Sequence, residues 1–170
     1  AGIPVVSSVT DSYGRTLNFQ YDSKARIESI QTPSSLMVKY IYDNSGNILE
    51  VHYVSGDVTT RHVYLYEDIS YPRLLTGIID ENDQRYITYR YDAFGRMVDE
   101  SLAGGVGHVQ FVYSEGKTVI TDANTATTDL YHSMVGGVRK VMSRSGSCTQ
   151  CGDSAVLNSF DLLGFRDIST

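Results

Sequence analysis

Hydrophobic and polar residues alternate along much of this chain. In residues 15–21, Leu17, Phe19 and Tyr21 alternate with polar residues, and the same pattern returns in 49–53, 85–91 and 109–113. Successive side chains of a strand point to opposite faces, so these segments predict half-buried strands. No segment sustains helical spacing, and the gaps between strands are too short for parallel crossovers. We therefore predict an all-β chain of antiparallel hairpins.

The predicted turns are as regular as the strands. Residues 22–26, 43–47 and 92–96 each begin with Asp and separate two strand-like segments. An Asp at the first turn position can accept hydrogen bonds from backbone N–H groups further along. Gly46 and Gly95 stand at the fourth position, where a type I turn with a bulge needs a positive φ. Ala25 stands there in the first copy, so we expect either a left-handed alanine or a different turn.

A Tyr-Asp step recurs along the chain. The intact copies are Tyr21-Asp22, Tyr42-Asp43 and Tyr91-Asp92. From Tyr21 the repeat advances 21 residues to Tyr42, 24 to Tyr66, 25 to Tyr91 and 22 to Tyr113. Each unit is thus the size of one hairpin. We divide residues 1–170 into units that end near Tyr21, Tyr42, Tyr66, Tyr91, Tyr113, Tyr131 and Phe160, with a loop containing Cys, Ser and Gly at 143–159. Residues 9–15 and 79–85 lead into Tyr21 and Tyr91 with the same spacing, which supports the repeat.

These motifs resemble the YD repeat, also called the RHS (rearrangement hotspot) repeat. Residues 92–97 and 43–48 match its Asp-x-x-Gly-Arg or Asp-x-x-Gly-Asn turn, which follows a strand ending in Tyr. The resemblance covers nearly the whole chain, and residues 57–75 and 143–158 depart from it most. It implies hairpins joined into a curved sheet that is a segment of a β-shell or barrel. Such shells enclose a toxin domain in bacterial secreted polymorphic toxins and Tc toxin complexes, and they form part of the adhesion ectodomain of teneurins.

The resemblance also implies a function. We expect a non-catalytic structural segment of a shell that encapsulates a toxin domain. The alternative is a cell-surface adhesion or carbohydrate-binding module, because tyrosine rings beside Asp, Asn and Arg suit sugar faces and hydroxyls. The expected partners are the remaining repeats of the parent chain and the enclosed toxin, with a glycan and edge-to-edge self-association as alternatives.

Charge and hydropathy narrow the class of protein. The 170 residues include 14 Lys and Arg against 20 Asp and Glu, a net charge of −6, which disfavours nucleic-acid binding. No apolar stretch is long enough for a transmembrane helix. The chain begins with Ala1, and no signal peptide is visible. We expect a piece of a longer protein, secreted or at the cell surface, and bacterial.

The Tyr-Asp pairs are the first candidates for chemistry. A catalytic residue has no need to be copied along a repeat, so we interpret them as structural, with the ring packed in the sheet and the carboxylate bracing the turn. The proposed structural residues of the repeat are Tyr21, Asp22, Tyr42, Asp43, Gly46, Tyr91, Asp92, Gly95 and Arg96. We expect no catalytic residue, no cofactor and no enzymatic activity.

Cysteines and histidines offer weaker candidates. Cys148 and Cys151 form one CxxC motif in a predicted flexible loop, and they fit a loop pair, reduced or disulfide-bridged, a metal half-site shared with another chain, or a redox pair. The four histidines show no metal-binding spacing. The glycine cluster 104–107 is followed by no helix pattern, so it predicts a hairpin loop, not a phosphate site.

Overall fold

The computed structural model describes residues 4–146 and the backbone of residues 156–157. It divides into two compact units, Ala1–Ile87 and Thr88–Thr170. The strands of the first unit are β1 (Ser8–Thr10), β2 (Thr16–Tyr21), β3 (Ile27–Gln31), β4 (Met37–Tyr42), β5 (Ile48–Ser55), β6 (Val58–Leu65) and β7 (Gly77–Ile79). β8 (Arg85–Tyr91) crosses the boundary between the units. The second unit continues with β9 (Met97–Leu102), β10 (Val109–Ser114), β11 (Lys117–Thr121), β12 (Thr127–Val135), β13 (Val138–Gly146) and β14 (Val156–Leu157).

Within each unit the described strands pair in the order of the chain, and these pairings are antiparallel. The only helical element in the described residues is the short 3₁₀ turn Ala103–Gly105. The prediction of an all-β chain of antiparallel hairpins is therefore confirmed. The described residues contain no helix of the length and hydropathy that crossing a membrane would require.

The register gives the first unit two chemically different faces. Phe19 is opposite Ile30, Ile30 is opposite Val38, and Val38 is opposite Tyr53, so these side chains share an apolar face. We call the other side the polar face: there Gln20 is opposite Ser29, Ser29 opposite Lys39, and Lys39 opposite His52. In the second unit, Val109, Phe111 and Tyr113 of β10 are half-buried and alternate with exposed residues, as the sequence predicts.

Little of this sheet is buried. Val51 and Ile87, which are 4% and 7% exposed, are the buried hydrophobic residues in the described part of the chain. The main contacts between the described elements join strands that are neighbours in the chain. Among the described strands, the side chains on the apolar face therefore pack mainly against those of the neighbouring strands in the same sheet.

Two loop predictions had different outcomes. The glycine cluster lies in the hairpin between the paired strands β9 and β10, as predicted. The prediction of a loop from residue 143 onward is wrong for Ser143–Gly146, which belong to β13 and pair with Thr128–Tyr131 of β12. Ser and Gly are poor strand formers, but the long partner strand offers a ladder of backbone hydrogen bonds that outweighs the local preference. Cys148 and Cys151 lie outside the described residues.

Candidate functional site

The described residues contain seven turns with the same backbone geometry. In each, the N–H of the first residue donates to the carbonyl four places later, at 2.8–3.0 Å. The N–H of the fourth residue donates back to the carbonyl of the first, at 2.9–3.2 Å. These turns begin at Asp11, Asp22, Thr32, Asp43, Asp80, Asp92 and Asp122. The repeated structural site of this chain is therefore a five-residue turn, which we call the Asp turn.

The first side chain of the Asp turn accepts hydrogen bonds from the rest of the turn. In the Asp92 copy, one carboxylate oxygen accepts from the N–H groups of Phe94 and Arg96 at 2.9 and 3.0 Å. The other oxygen accepts from Nε of Arg96 at 2.8 Å. Asp22 makes the same three contacts with Lys24 and Arg26. The carboxylates of Asp22 and Asp92 thus hold both the backbone and the fifth side chain of their turns.

These hydrogen bonds keep the carboxylates ionised. The N–H of the fifth residue is the main reason that the pKa values of Asp11, Asp22 and Asp80 are below the usual 3.8. At Asp92, desolvation raises the pKa, and the hydrogen bonds from Arg96 and Phe94 together with the charge of Arg96 more than offset it. A lowered folded-state pKa means that the stability from these contacts is present above pH 3.8 and is lost as the pH falls through the lowered values.

The fourth residue of every Asp turn has a positive φ. Gly14, Gly46 and Gly95 take values of 80°, 90° and 71°. Ala25, at 58°, adopts the left-handed conformation that was the first of the two expected alternatives. Ser35, Asp83 and Thr125 do so in the remaining turns.

Sequence reasoning missed the turn at Thr32. The Oγ1 atom of Thr32 accepts the N–H of Leu36 at 3.1 Å and so replaces the Asp carboxylate. The signal was present in Pro33, because proline favours the second position of a type I turn.

A second contact joins two of the Asp turns, those at Asp22 and Asp92, to the next hairpin. The guanidinium of Arg26 lies 4.1 Å from the ring centroid of Tyr42, and that of Arg96 lies 4.4 Å from the ring of Tyr113. The hydroxyl of Tyr42 donates to the carbonyl of Ile27 at 2.7 Å. The hydroxyl of Tyr113 donates to the carbonyl of Met97 at 2.6 Å. In both copies the tyrosine is thus held by its ring and by its hydroxyl.

Of the other repeat tyrosines, Tyr21 keeps a hydroxyl contact of this kind. The hydroxyl of Tyr21 donates to the carbonyl of Val6 at 2.7 Å. Tyr91 ends β8 directly before Asp92, and desolvation raises its pKa. In the Asp43 copy, Asn47 replaces the arginine and donates to Asp43 and to the carbonyl of Pro72. The stabilising role that we assign to the Tyr and Asp residues remains a prediction.

Replacing Tyr113 with phenylalanine tests this role. The change removes the hydrogen bond to Met97 and leaves the ring under Arg96, so we expect a loss of about 1 kcal/mol in the free energy of unfolding. Tyr13→Phe is the matched control, because Tyr13 is 86% exposed and should lose almost nothing. Urea denaturation of both variants gives the comparison, and equal losses would contradict the assigned role.

The histidines do not converge on one site. His52, His62 and His108 bond to Glu50, Glu81 and Asp99, and His132 bonds to Thr118. In the described part of the chain, no group of three or more His, Cys, Asp and Glu side chains could hold a metal ion.

A shallow hollow of about 430 Å³ lies over β2, β3 and β4. Its lining includes Gln20, Glu28, Ser29 and Lys39. Ser29 donates to Gln20 at 3.1 Å. Within the described residues, neither Glu28 nor Lys39 forms an ion pair. The hollow therefore presents an amide, a hydroxyl and two unpaired charges of opposite sign.

Comparison with known proteins identifies relatives of these hairpins. A family model described as the teneurin YD-shell matches residues 4–134. The curated protein named "Probable deoxyribonuclease RhsA" from Dickeya dadantii (strain 3937) is 33% identical over 88 residues, which are 52% of this chain and 6% of that protein. The match thus covers a small part of that protein.

Among solved structures, a chain of the "Crystal Structure of TcdB2-TccC3-Cdc42" has a similar fold. The TM-score is 0.50 at 13% identity, over 92% of this chain and 10% of that chain. At this level of identity the likeness concerns the fold.

Proposed function

This chain belongs to the teneurin YD-shell family, and on that premise we propose that it is a length of shell wall that encloses a toxin domain of a secreted bacterial protein. The proposal takes its first support from the family, whose members build structural shells. The RhsA relative and the fold of the TcdB2-TccC3-Cdc42 chain favour a shell that encloses a bacterial toxin domain over a shell that forms part of an adhesion ectodomain. On this proposal the segment itself has no catalytic activity.

The main support for the proposal is that the sheet buries very few hydrophobic side chains. A sheet that buries only Val51 and Ile87 among its described hydrophobic residues gains little from a core of its own. In a repeat protein, each hairpin is stabilised by its neighbours on both sides, and each unit adds one more length of continuous sheet. A wall of that kind separates an enclosed space from solvent with one layer of chain.

Cysteine labelling on the two sides of β2 tests the wall. Leu17 and Asn18 are adjacent and exposed, and their side chains point to opposite faces. We expect Leu17→Cys and Asn18→Cys, each in a Cys148→Ser, Cys151→Ser background, both to react with a bulky maleimide in this chain alone. In the full-length parent protein, one of them should react and the other should stay protected. Reaction of both in the parent would overturn the proposal of a sealed wall.

Protease digestion of the parent protein tests the cargo. If the shell encloses a toxin domain, an in-frame deletion of residues 43–91 opens the wall and makes that domain sensitive to protease. The matched control is Ile69→Ala, which changes a side chain that is 95% exposed and should leave protection unchanged. A cargo domain that is equally sensitive in the undeleted parent would show that nothing is enclosed.

Glycan binding is the second candidate, and the hollow over β2–β4 is the observation that favours it. Amide, hydroxyl and charged side chains beside Met37 and Ile41 are suited to sugar hydroxyls and to the apolar face of a sugar ring. Binding on a glycan array that is lost with Lys39→Ala and retained with Lys24→Ala would support it. An array without signal would leave the shell as the only function.

A further inference from the structure

The connection between β6 and β7 is the longest between β1 and β13. It spans residues 66–76, whereas every other connection in this range has six residues or fewer. Its tip is open to solvent, since Ile69, Pro72 and Arg73 are all exposed. Loops of this length whose ends lie close together are frequently functional. Because the sheet itself needs only short turns, this loop is a candidate for a function of its own.

The base of the loop is held closed by Glu67, Thr76 and Arg85. Nη2 of Arg85 donates to Oε2 of Glu67 at 2.9 Å and to the carbonyl of Thr76 at 2.8 Å. The Oγ1 atom of Thr76, a buried residue, accepts the N–H of Glu67 at 3.0 Å. A Cβ at Gly77 would lie 2.6 Å from Nη2 of Arg85, so the glycine makes room for the guanidinium. The two ends of the loop are therefore joined by contacts that do not involve its tip.

Arg73 differs from the other basic residues in its position. All the other Lys and Arg residues in the described part of the chain lie in strands or in five-residue turns. Arg73 is exposed and forms no ion pair within the described residues. Proteolytic nicking concentrates at exposed loop tips, and a protease pocket with a carboxylate at its base accepts an arginine. The loop thus offers such a protease one accessible arginine.

Two hydrogen bonds hold the tip closed around the peptide bond between Arg73 and Leu74. The N–H of Leu74 donates to the carbonyl of Tyr71 at 2.9 Å. Nδ2 of Asn47, from a neighbouring turn, donates to the carbonyl of Pro72 at 3.0 Å. A protease that binds the tip in an extended conformation has to break both bonds. Cleavage therefore depends on local opening of the tip, in which the paired strands need not take part.

We propose that the β6–β7 loop is a processing site at which an arginine-specific endopeptidase cuts the chain without opening the sheet. The reaction is hydrolysis: the peptide bond from Arg73 to Leu74 breaks, the hydroxyl of water bonds to the carbonyl carbon, and the proton of water goes to the nitrogen of Leu74. The pairing of β6 with β7 and the ion pair of Glu67 with Arg85 hold the two fragments together. The site does not depend on what the shell encloses.

Limited digestion of the full chain with trypsin, followed by mass spectrometry, tests the site. We expect the first cut within the described residues to fall after Arg73, which gives fragments 1–73 and 74–170. Cleavage after Arg166, which lies outside the described residues, is scored separately. The two fragments should elute together in gel filtration and separate only in denaturant. Arg73→Gln should abolish this cut, whereas Lys24→Gln, which removes an exposed lysine from a five-residue turn, should leave its rate unchanged.

Asn47→Ala tests whether the contact with Pro72 restrains the tip. This change should speed the cut about fivefold, the scale of one hydrogen bond, without adding new cleavage sites. Asn44→Ala, an exposed residue of the same turn, is the matched control and should leave the rate unchanged. The proposal is overturned if the first cut falls elsewhere in the described residues, or if the fragments separate without denaturant. Equal rates in Asn47→Ala and Asn44→Ala would show that Asn47 does not restrain the tip.

Discussion

Replacing Ile87 with alanine will lower the free energy of unfolding by about 2–5 kcal/mol, the range for truncating a buried isoleucine. Ile87 lies in the middle of β8 and is 7% exposed. Because Val51 is its only buried hydrophobic counterpart among the described residues, no large core exists to absorb the cavity. The effect should therefore be large for a chain with so little buried apolar surface.

The experiment is urea denaturation of the chain with Ile87→Ala, beside Ile69→Ala as a control. Both variants remove the same atoms, but Ile69 is 95% exposed in the loop between β6 and β7. A change of less than about 0.5 kcal/mol is expected there. Similar losses in both variants would show that the sheet does not bury Ile87 in solution.

Replacing Gly46 with valine will cost about 2 kcal/mol, because the fourth position of the Asp turn requires the left-handed conformation. Gly46 has a φ of 90°, and a Cβ there would meet only Nη1 of Arg26, at 3.9 Å. Crowding at Cβ is thus excluded as the cause, and the loss would come from the backbone. A β-branched side chain is especially disfavoured at positive φ.

The reciprocal change is Ala25→Gly, which removes a side chain from the same position of another turn. Ala25 has a φ of 58°, so glycine relieves its strain. Part of this gain is offset by the greater freedom of glycine in the unfolded chain, and a net gain of about 0.5 kcal/mol remains. Thermal or urea denaturation of both variants shows whether their effects have opposite signs. Destabilisation by Ala25→Gly would mean that the turn does not store strain there.

Most of the local structure could be predicted from the sequence. The alternation around Phe19 and Phe111 placed β2 and β10, and the Asp residues placed the turns at Asp22, Asp43 and Asp92. The predictions failed where one local rule was too narrow. Thr32 replaces Asp through its hydroxyl, and Ser143–Gly146 pair with a long strand despite a composition typical of loops.

The contacts between hairpins could not be predicted in the same way. Arg26 was recognised as part of a turn, but its stacking on the ring of Tyr42 depends on the register between β3 and β4. The pairing of His62 with Glu81 likewise requires β6 and the Asp80 turn to lie side by side. Neither pair has a spacing within one strand or one turn that would indicate contact.

The sequence by itself determined the elements of this protein. An Asp turn closes through hydrogen bonds among five consecutive residues, and a strand shows its two faces through a period of two. Both elements can therefore be recognised from residues that are close together in the sequence. Only the tertiary structure decided which arginine meets which tyrosine, which histidine gains a carboxylate, and how little apolar surface is buried. These depend on register, which is set jointly by several strands because a shift of one residue would exchange the two faces.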